Sequence, residues 1–123
     1  IDTYRAKYQL VSNAEIYNSC AVTAADEDCP DIRIASAQAA DELLGVQGVN
    51  ASFVLYSSAG TVNISARSMG DFNVQLVMEA LGGGGHLMMA GAQLQNCTLE
   101  DAEHRIREQI DLYRAAQREN TAR

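Results

Sequence analysis

Two periods alternate along the chain, and their order predicts its elements. Residues 4–11 carry a helical pattern and open the chain as a short helix. Residues 15–24 (EIYNSCAVTA) are rich in β-branched and small side chains and read as a strand. Residues 26–30 form a turn, and Asp31, after Pro30, stands where a helix N-cap is expected. Ile32, Ala35, Ala39 and Leu43 then recur at helical spacing until Gly45 stops the run. The alanines of this helix imply close packing, flat on a sheet. Residues 51–56 (ASFVLY) are almost entirely apolar, as a strand covered on both faces would be. Turn chemistry at residues 57–60 leads into a second strand at 61–67, so the two predict a β-hairpin. In that second strand Val62, Ile64 and Ala66 take one face, and Asn63, Ser65 and Arg67 take the other.

Asn73 is placed to cap a helix whose apolar stripe is Val74, Val77, Met78 and Leu81. That helix runs into Gly82, Gly83, Gly84, Gly85 and His86, and a short strand follows over residues 90–95. Thr98 starts the last helix with Asp101 in a capping-box position, and Ala102, Ile106, Ile110 and Tyr113 form its stripe. The polar residues 117–123 are expected to fray. Strand-like and helix-like segments in this order indicate an α/β or α+β domain.

The 123 residues suffice for one domain, and a second independent core would not fit. No apolar run approaches the roughly 20 residues needed to span a bilayer. The chain opens on Ile1 without a signal-peptide pattern, which suggests a piece of a longer protein. A formal charge of −7 disfavours long duplex nucleic acid. The charge is uneven, however: across residues 44–98 the charged side chains are Arg67, Asp71 and Glu79. A small anion could therefore still bind mid-chain. Asp26, Glu27, Asp28 and Asp31 read as a solvated acidic loop rather than a metal site. Cys20, Cys29 and Cys97 lack CxxC spacing and read as buried or half-buried thiols of a reducing compartment. His104 reads as solvent-facing, and Met88 and Met89 as packing residues.

Chemistry concentrates at the glycine run. Four consecutive glycines are costly in conformational entropy. They are favoured where backbone N–H groups must approach a ligand with no Cβ in the way, and phosphate is the usual such ligand. A flexible connector is the competing reading. His86 would add a donor at the end of the run. The pattern is neither a P-loop nor a dinucleotide fingerprint. Arg67 taken alone reads as a solvated charge or an ion pair with Asp71. A guanidinium fits phosphate bidentately, though, and one helix separates Arg67 from His86, so both could reach one sheet edge. The face bearing Asn63, Ser65, Arg67 and the glycine run is expected to be concave and open. With no nucleophile–base set, paired catalytic carboxylates or metal spacing in view, the chain reads as able to hold a phosphate and unable to cleave it.

These motifs carry a resemblance. Ile64-Ser65-Ala66-Arg67-Ser68, Asn73-Val74-Gln75, Met78-Glu79 and Leu81-Gly82-Gly83-Gly84-Gly85-His86 resemble the C-terminal DHHA1 subdomain of DHH-type phosphodiesterases. The likeness is to the membrane-anchored bacterial branch that hydrolyses cyclic di-AMP to linear di-AMP, which Ala39-Ala40-Asp41-Glu42-Leu43-Leu44 and Ala51-Ser52-Phe53-Val54 also fit. The resemblance implies an α/β unit with a mixed sheet of about four to five strands and three main helices. It implies a division into a linker or opening helix at 1–13, a substrate-binding unit at 14–116 and a frayed tail at 117–123. Arg67 and His86 would contact substrate phosphate, Gly83, Gly84 and Gly85 would admit it to the backbone, and Ser65 and Ser68 would be secondary contacts. Two Mn²⁺ ions would sit on Asp and His residues of a DHH subdomain of the same polypeptide, and this stretch would bind none. The implied partners are a cyclic dinucleotide or short oligonucleotide, the DHH subdomain and a second copy in a homodimer. The parent would be anchored in the membrane with this unit on the cytoplasmic face, itself making no membrane contact. The alternatives are a RecJ-like or oligoribonuclease substrate-binding subdomain, a non-catalytic nucleotide-binding module, and a nucleic-acid-binding piece like that on alanyl-tRNA synthetases.

Overall fold

Tight turns and one helical crossover set the sheet. In the computed structural model, which describes residues 2–26 and 30–122, the elements run α1 (Asp2–Ser12), β1 (Glu15–Tyr17), β2 (Cys20–Ala25), α2 (Ile32–Leu43), β3 (Ala51–Ser58), β4 (Thr61–Ser68), α3 (Val74–Ala80), β5 (Gly84–Gly85), β6 (Met89–Gln95) and α4 (Leu99–Ala122). The six strands lie in the order β1-β2-β3-β4-β6-β5. β2 and β3 are parallel, joined through α2, and every other neighbouring pair is antiparallel. The sheet is mixed, as expected, with more strands than expected. The extra strands have separate causes. The single strand predicted over 15–24 is a hairpin, because Asn18 and Ser19 both adopt positive φ (51° and 65°) and reverse the chain in two residues. Part of the glycine run, read as a loop, is the edge strand β5.

Alternating side chains send two cores to opposite faces. Phe53, Leu55, Val62, Ile64 and Leu94 meet the stripes of α3 and α4 on one face. On the other, Ala21 and Val54 meet Leu10 of α1 and Ala39, Ala40 and Leu43 of α2. Phe72 is fully buried, with its ring 5.9 Å from Phe53 and 4.1 Å from Tyr113.

Side-chain caps start two of the helices. Asn73 Oδ1 accepts from Gln75 N (3.1 Å), and Thr98 Oγ1 accepts from Asp101 N (3.0 Å). Asp31 does not cap α2 with its side chain; its backbone is left-handed (φ 64°). Of the two readings of the opening residues, linker or helix, the structure has the helix, docked through buried Leu10, whose carbonyl accepts from Thr23 Oγ1 at 2.8 Å. Nor does α4 fray at residue 117. Gln117 accepts from Arg114 Nη1 and reaches Asp71 O, and Thr121 Oγ1 donates to Gln117 O, which carries the helix to Ala122. Cys20 is buried and Cys97 half-buried. Cys29, Glu27 and Asp28 lie outside the described residues.

Candidate functional site

Helix α2 covers the sheet over β3 and the Arg67 end of β4, and leaves the same face of β6 and the rest of β4 open. Register shows which residues share that face, because cross-strand partners point the same way. Ser52, Val54 and Tyr56 of β3 stand opposite Arg67, Ser65 and Asn63 of β4, which in turn stand opposite Met89, Gly91 and Gln93 of β6. Gly84 of β5 pairs with Gly91. An open groove of about 490 Å³ follows these rows, floored by Asn63, Ser65, Gly91 and Gln93 and flanked by Gly83, Tyr56 and Arg33.

The predicted site residues divide into three groups. Ser65 and Gly83 line the groove. Arg67 and His86 do not line it but share a neighbour beyond its end: Arg67 stands opposite Met89, whose carbonyl accepts from His86 N at 2.7 Å. Ser68 is on the opposite face: it is 5% exposed, and its hydroxyl donates to Leu87 O at 3.2 Å. Its expected contact with phosphate therefore gives way to a hold on the segment that carries His86.

Arg67 differs from expectation in its exposure. The sequence places it on an open face, yet its side chain is 13% exposed, with Nε 3.4 Å from Asp41 Oδ1 on α2. Nη1 donates to Ala66 O at 2.9 Å. Asp41, not Asp71, is its acidic neighbour, and among the described residues Nη2 makes no hydrogen bond. Buried Nε likewise makes none in good geometry. The guanidinium is held along its stem and keeps unspent donors. His86 itself is exposed.

The glycines also divide. A Cβ at Gly83 would lie 2.1 Å from Gly91 O, and one at Gly85 would lie 2.5 Å from Ala90 Cα. These two are glycine because β6 passes too close for any side chain. Gly82 and Gly85 carry positive φ (87° and 145°). Gly84 has neither restriction, with nothing within 4 Å of its Cβ position, so at that residue the absent side chain leaves open space.

Next to His86 lie four exposed apolar side chains: Met69, Leu87, Met88 and Met89, each between 43% and 64% exposed. Met88 and Met89 are thus not packing residues. Met89 takes the bare face by alternation, and Met88 sits in the turn whose carbonyl accepts from Ser68 N. His104 is exposed, as predicted, and lies 2.8 Å from Glu108.

Chemically the site is a binding surface. Among the described residues no group of three His, Cys, Asp or Glu is placed to hold a metal. The Cys20 thiol is a poor nucleophile: burial pushes it up to about 11, against the opposing charge of Arg114. Burial also raises the Tyr56 phenol, while nearby Arg33 lowers it. Arg33, Tyr56 and Gln93 were not singled out by sequence reasoning. The period-2 pattern of β6, extended through Gly91, Gln93 and Gln95, would have shown its polar face, but Arg33 is placed by tertiary structure.

Comparison with known proteins agrees with this architecture. The DHHA1 domain family matches residues 20–116. The chain is 45% identical over 115 residues to the cyclic-di-AMP phosphodiesterase GdpP of Geobacillus thermodenitrificans, covering 92% of this chain and 18% of that protein. It is 43% identical over 115 residues to the cyclic-di-AMP phosphodiesterase PdeA of Listeria monocytogenes, with the same coverage of 92% and 18%. The chain thus spans about a fifth of these relatives. Among solved structures, an exopolyphosphatase-related protein from Bacteroides fragilis superposes with a TM-score of 0.81 at 21% identity, covering 93% of this chain and 35% of that one. The C-Ala domain of alanyl-tRNA synthetase from Aquifex aeolicus superposes with a TM-score of 0.60 at 13% identity, covering 82% of this chain and 97% of that one, a likeness of fold. On the match across residues 20–116, the chain belongs to the DHHA1 domain family.

Proposed function

We propose that this chain is the substrate-binding half of a metal-dependent phosphodiesterase that hydrolyses cyclic di-AMP to linear di-AMP. One observation carries the reading. The exposed residue His86 and Arg67 with its unspent donors both neighbour Met89, beyond the end of a groove that holds Ser65 and Gly91, and the unobstructed Gly84 pairs with Gly91 at its edge. The names of the two bacterial relatives support cyclic di-AMP as the substrate.

In this reading Arg67 and His86 bind the phosphate, Gly84 brings its backbone close, and Ser65 adds a hydroxyl. Gly83 and Gly85 serve by letting the segment lie against β6, and Ser68 positions the loop. Two Mn²⁺ ions in a DHH subdomain of the parent polypeptide supply the Lewis acid and the activated water. This chain supplies orientation and charge. A membrane anchor would belong to the rest of the parent.

The test is product analysis. The full-length protein is incubated with cyclic di-AMP and Mn²⁺, in parallel with the isolated chain, and the products are separated by chromatography. Linear di-AMP from the former and no turnover by the latter is the expected result. Turnover by the isolated chain that survives repurification, or none by the full-length protein, overturns the reading.

A further inference from the structure

The groove continues past the phosphate end, and its far part is built differently. There Asn63 and Gln93 form the floor, Tyr56 and Arg33 the wall, and the surface passes on to Ser58 and Thr61. The two amides are ordered by each other. Gln93 Nε2 donates to Asn63 Oδ1 at 3.2 Å, and Asn63 Nδ2 turns back to Thr61 O at 3.4 Å. Asn63 thereby holds its neighbour's amide and is itself tied to its own strand. Exposed Gln93 keeps its carbonyl oxygen and one N–H, and neither has a partner among the described residues.

Arg33 is the second unusual feature. The protein carries sixteen acidic residues, yet Arg33 forms no ion pair among the described residues. It stands on α2 two turns before Asp41, so that helix carries a cation unpaired among the described residues beside the groove and, further along, the acid next to Arg67.

A planar amide that presents a carbonyl beside an N–H complements the edge of adenine, where the N6 amino donor adjoins the N7 acceptor. Guanine offers two acceptors at the same positions and leaves the carbonyl opposed. The spacing suits one nucleotide. Gln93 lies two residues beyond Gly91, the residue paired with both Ser65 and Gly84, which is about 7 Å along the strand. A guanidinium plane is in turn a stacking surface for a base.

We propose that Gln93, held by Asn63, reads the adenine of the nucleotide whose phosphate sits at Ser65 and Gly84, with Arg33 stacking on that base. The inference rests on the reading of the glycine–His86 end as the phosphate site. Gln93 and Arg33 are specificity-determining residues, and Asn63 is a positioning residue.

The test is the ratio of kcat/KM for cyclic di-AMP to that for cyclic di-GMP, measured with Mn²⁺ in the full-length protein. Wild type favours the adenine substrate. Gln93→Leu lowers that ratio by about 5- to 150-fold, the range of one bidentate base contact, with an unchanged melting temperature. Asn63→Ala lowers it less, because Gln93 remains but is no longer held. Arg33→Ala lowers kcat/KM for cyclic di-AMP through KM. His86→Ala lowers kcat/KM for both substrates and leaves their ratio alone. A ratio unchanged in Gln93→Leu, or a wild type with no adenine preference, overturns the inference while leaving the phosphate site standing. Wild-type kinetics in His86→Ala would instead remove the reading beneath it.

Discussion

A methyl group added at Gly83 and one added at Gly84 should have opposite consequences, although the two residues are adjacent in one glycine run. At Gly83 the new Cβ would sit 2.1 Å from Gly91 O and 2.7 Å from Ala92 Cα, both backbone positions of β6. Van der Waals contact needs about 1 Å more, so the segment must lift away from the sheet. Overpacking of this kind costs about 1–3 kcal/mol. Lifting also threatens the bond from Gly83 N to Met78 O, 2.8 Å long, worth about 1 kcal/mol. Together they come to about 3 kcal/mol, or on the order of 10 °C in melting temperature for a domain of this size. At Gly84 nothing lies within 4 Å of the added carbon and the backbone is not left-handed. Alanine there should leave stability unchanged or raise it by about 0.4–1 kcal/mol, through the unfolded state. It should nevertheless lower kcat/KM on cyclic di-AMP by roughly tenfold or more, if a charge-assisted contact to phosphate is lost. Thermal melts beside steady-state kinetics of the full-length protein decide the matter. A Gly83→Ala protein that melts like wild type would refute the packing argument, and wild-type kinetics in Gly84→Ala would refute the role of that backbone in binding.

Three further outcomes follow from the packing. Burial pushes the Cys20 thiol from 9.0 up to about 11, so its contribution is whole below pH 9 and is lost as pH rises through the folded value, about 3 kcal/mol in all; urea titrations at pH 8 and 11 should show a larger loss of stability in wild type than in Cys20→Ala, and equal losses would contradict it. Phe72→Ala should cost about 3–5 kcal/mol, since it empties a fully buried site between Phe53 and Tyr113 and removes the ring under Arg114; denaturation midpoints measure it, and a loss under 1 kcal/mol would show that the site collapses. Thr98→Ala should cost about 1 kcal/mol by freeing Asp101 N, measured in the same way, and an unchanged midpoint would show that the cap adds nothing.

The parts of the fold legible in the sequence were those decided locally. The stripe of α3 with its Asn73 cap, the stripe of α4 with its Thr98 cap and the alternation of β4 all reappear in the structure. What was not legible depended on partners distant in the chain. Asn18-Ser19 carries no glycine to advertise a two-residue turn, so β1 was merged with β2. The glycine run leaves a ligand loop and a flexible connector as its readings in sequence, because a further cause, the passage of β6 within 2.1 Å of a Cβ at Gly83, exists only after folding. Arg67 was found by its isolation in a charge-poor stretch, but its neighbour Asp41 comes from a helix whose position no local pattern gives. Alternation already placed Ser68 with Ala66 and Ile64, so its absence from the groove could have been read directly.

The central claim is that Arg67 and His86 hold the substrate phosphate, and kcat/KM of Arg67→Ala and His86→Ala in the full-length protein tests it most directly. His86 is exposed and should melt close to wild type as alanine; the acid that Arg67 would leave behind, Asp41, is itself 67% exposed, so Arg67→Ala strands no buried charge and lowers the melting temperature only by the lost packing of its stem, which is 13% exposed. A charge-assisted contact of about 1.5–3 kcal/mol predicts a ten- to hundredfold fall in kcat/KM on cyclic di-AMP for each. Wild-type kcat/KM in both variants would contradict the account and leave Arg67 a structural ion pair and His86 a surface side chain.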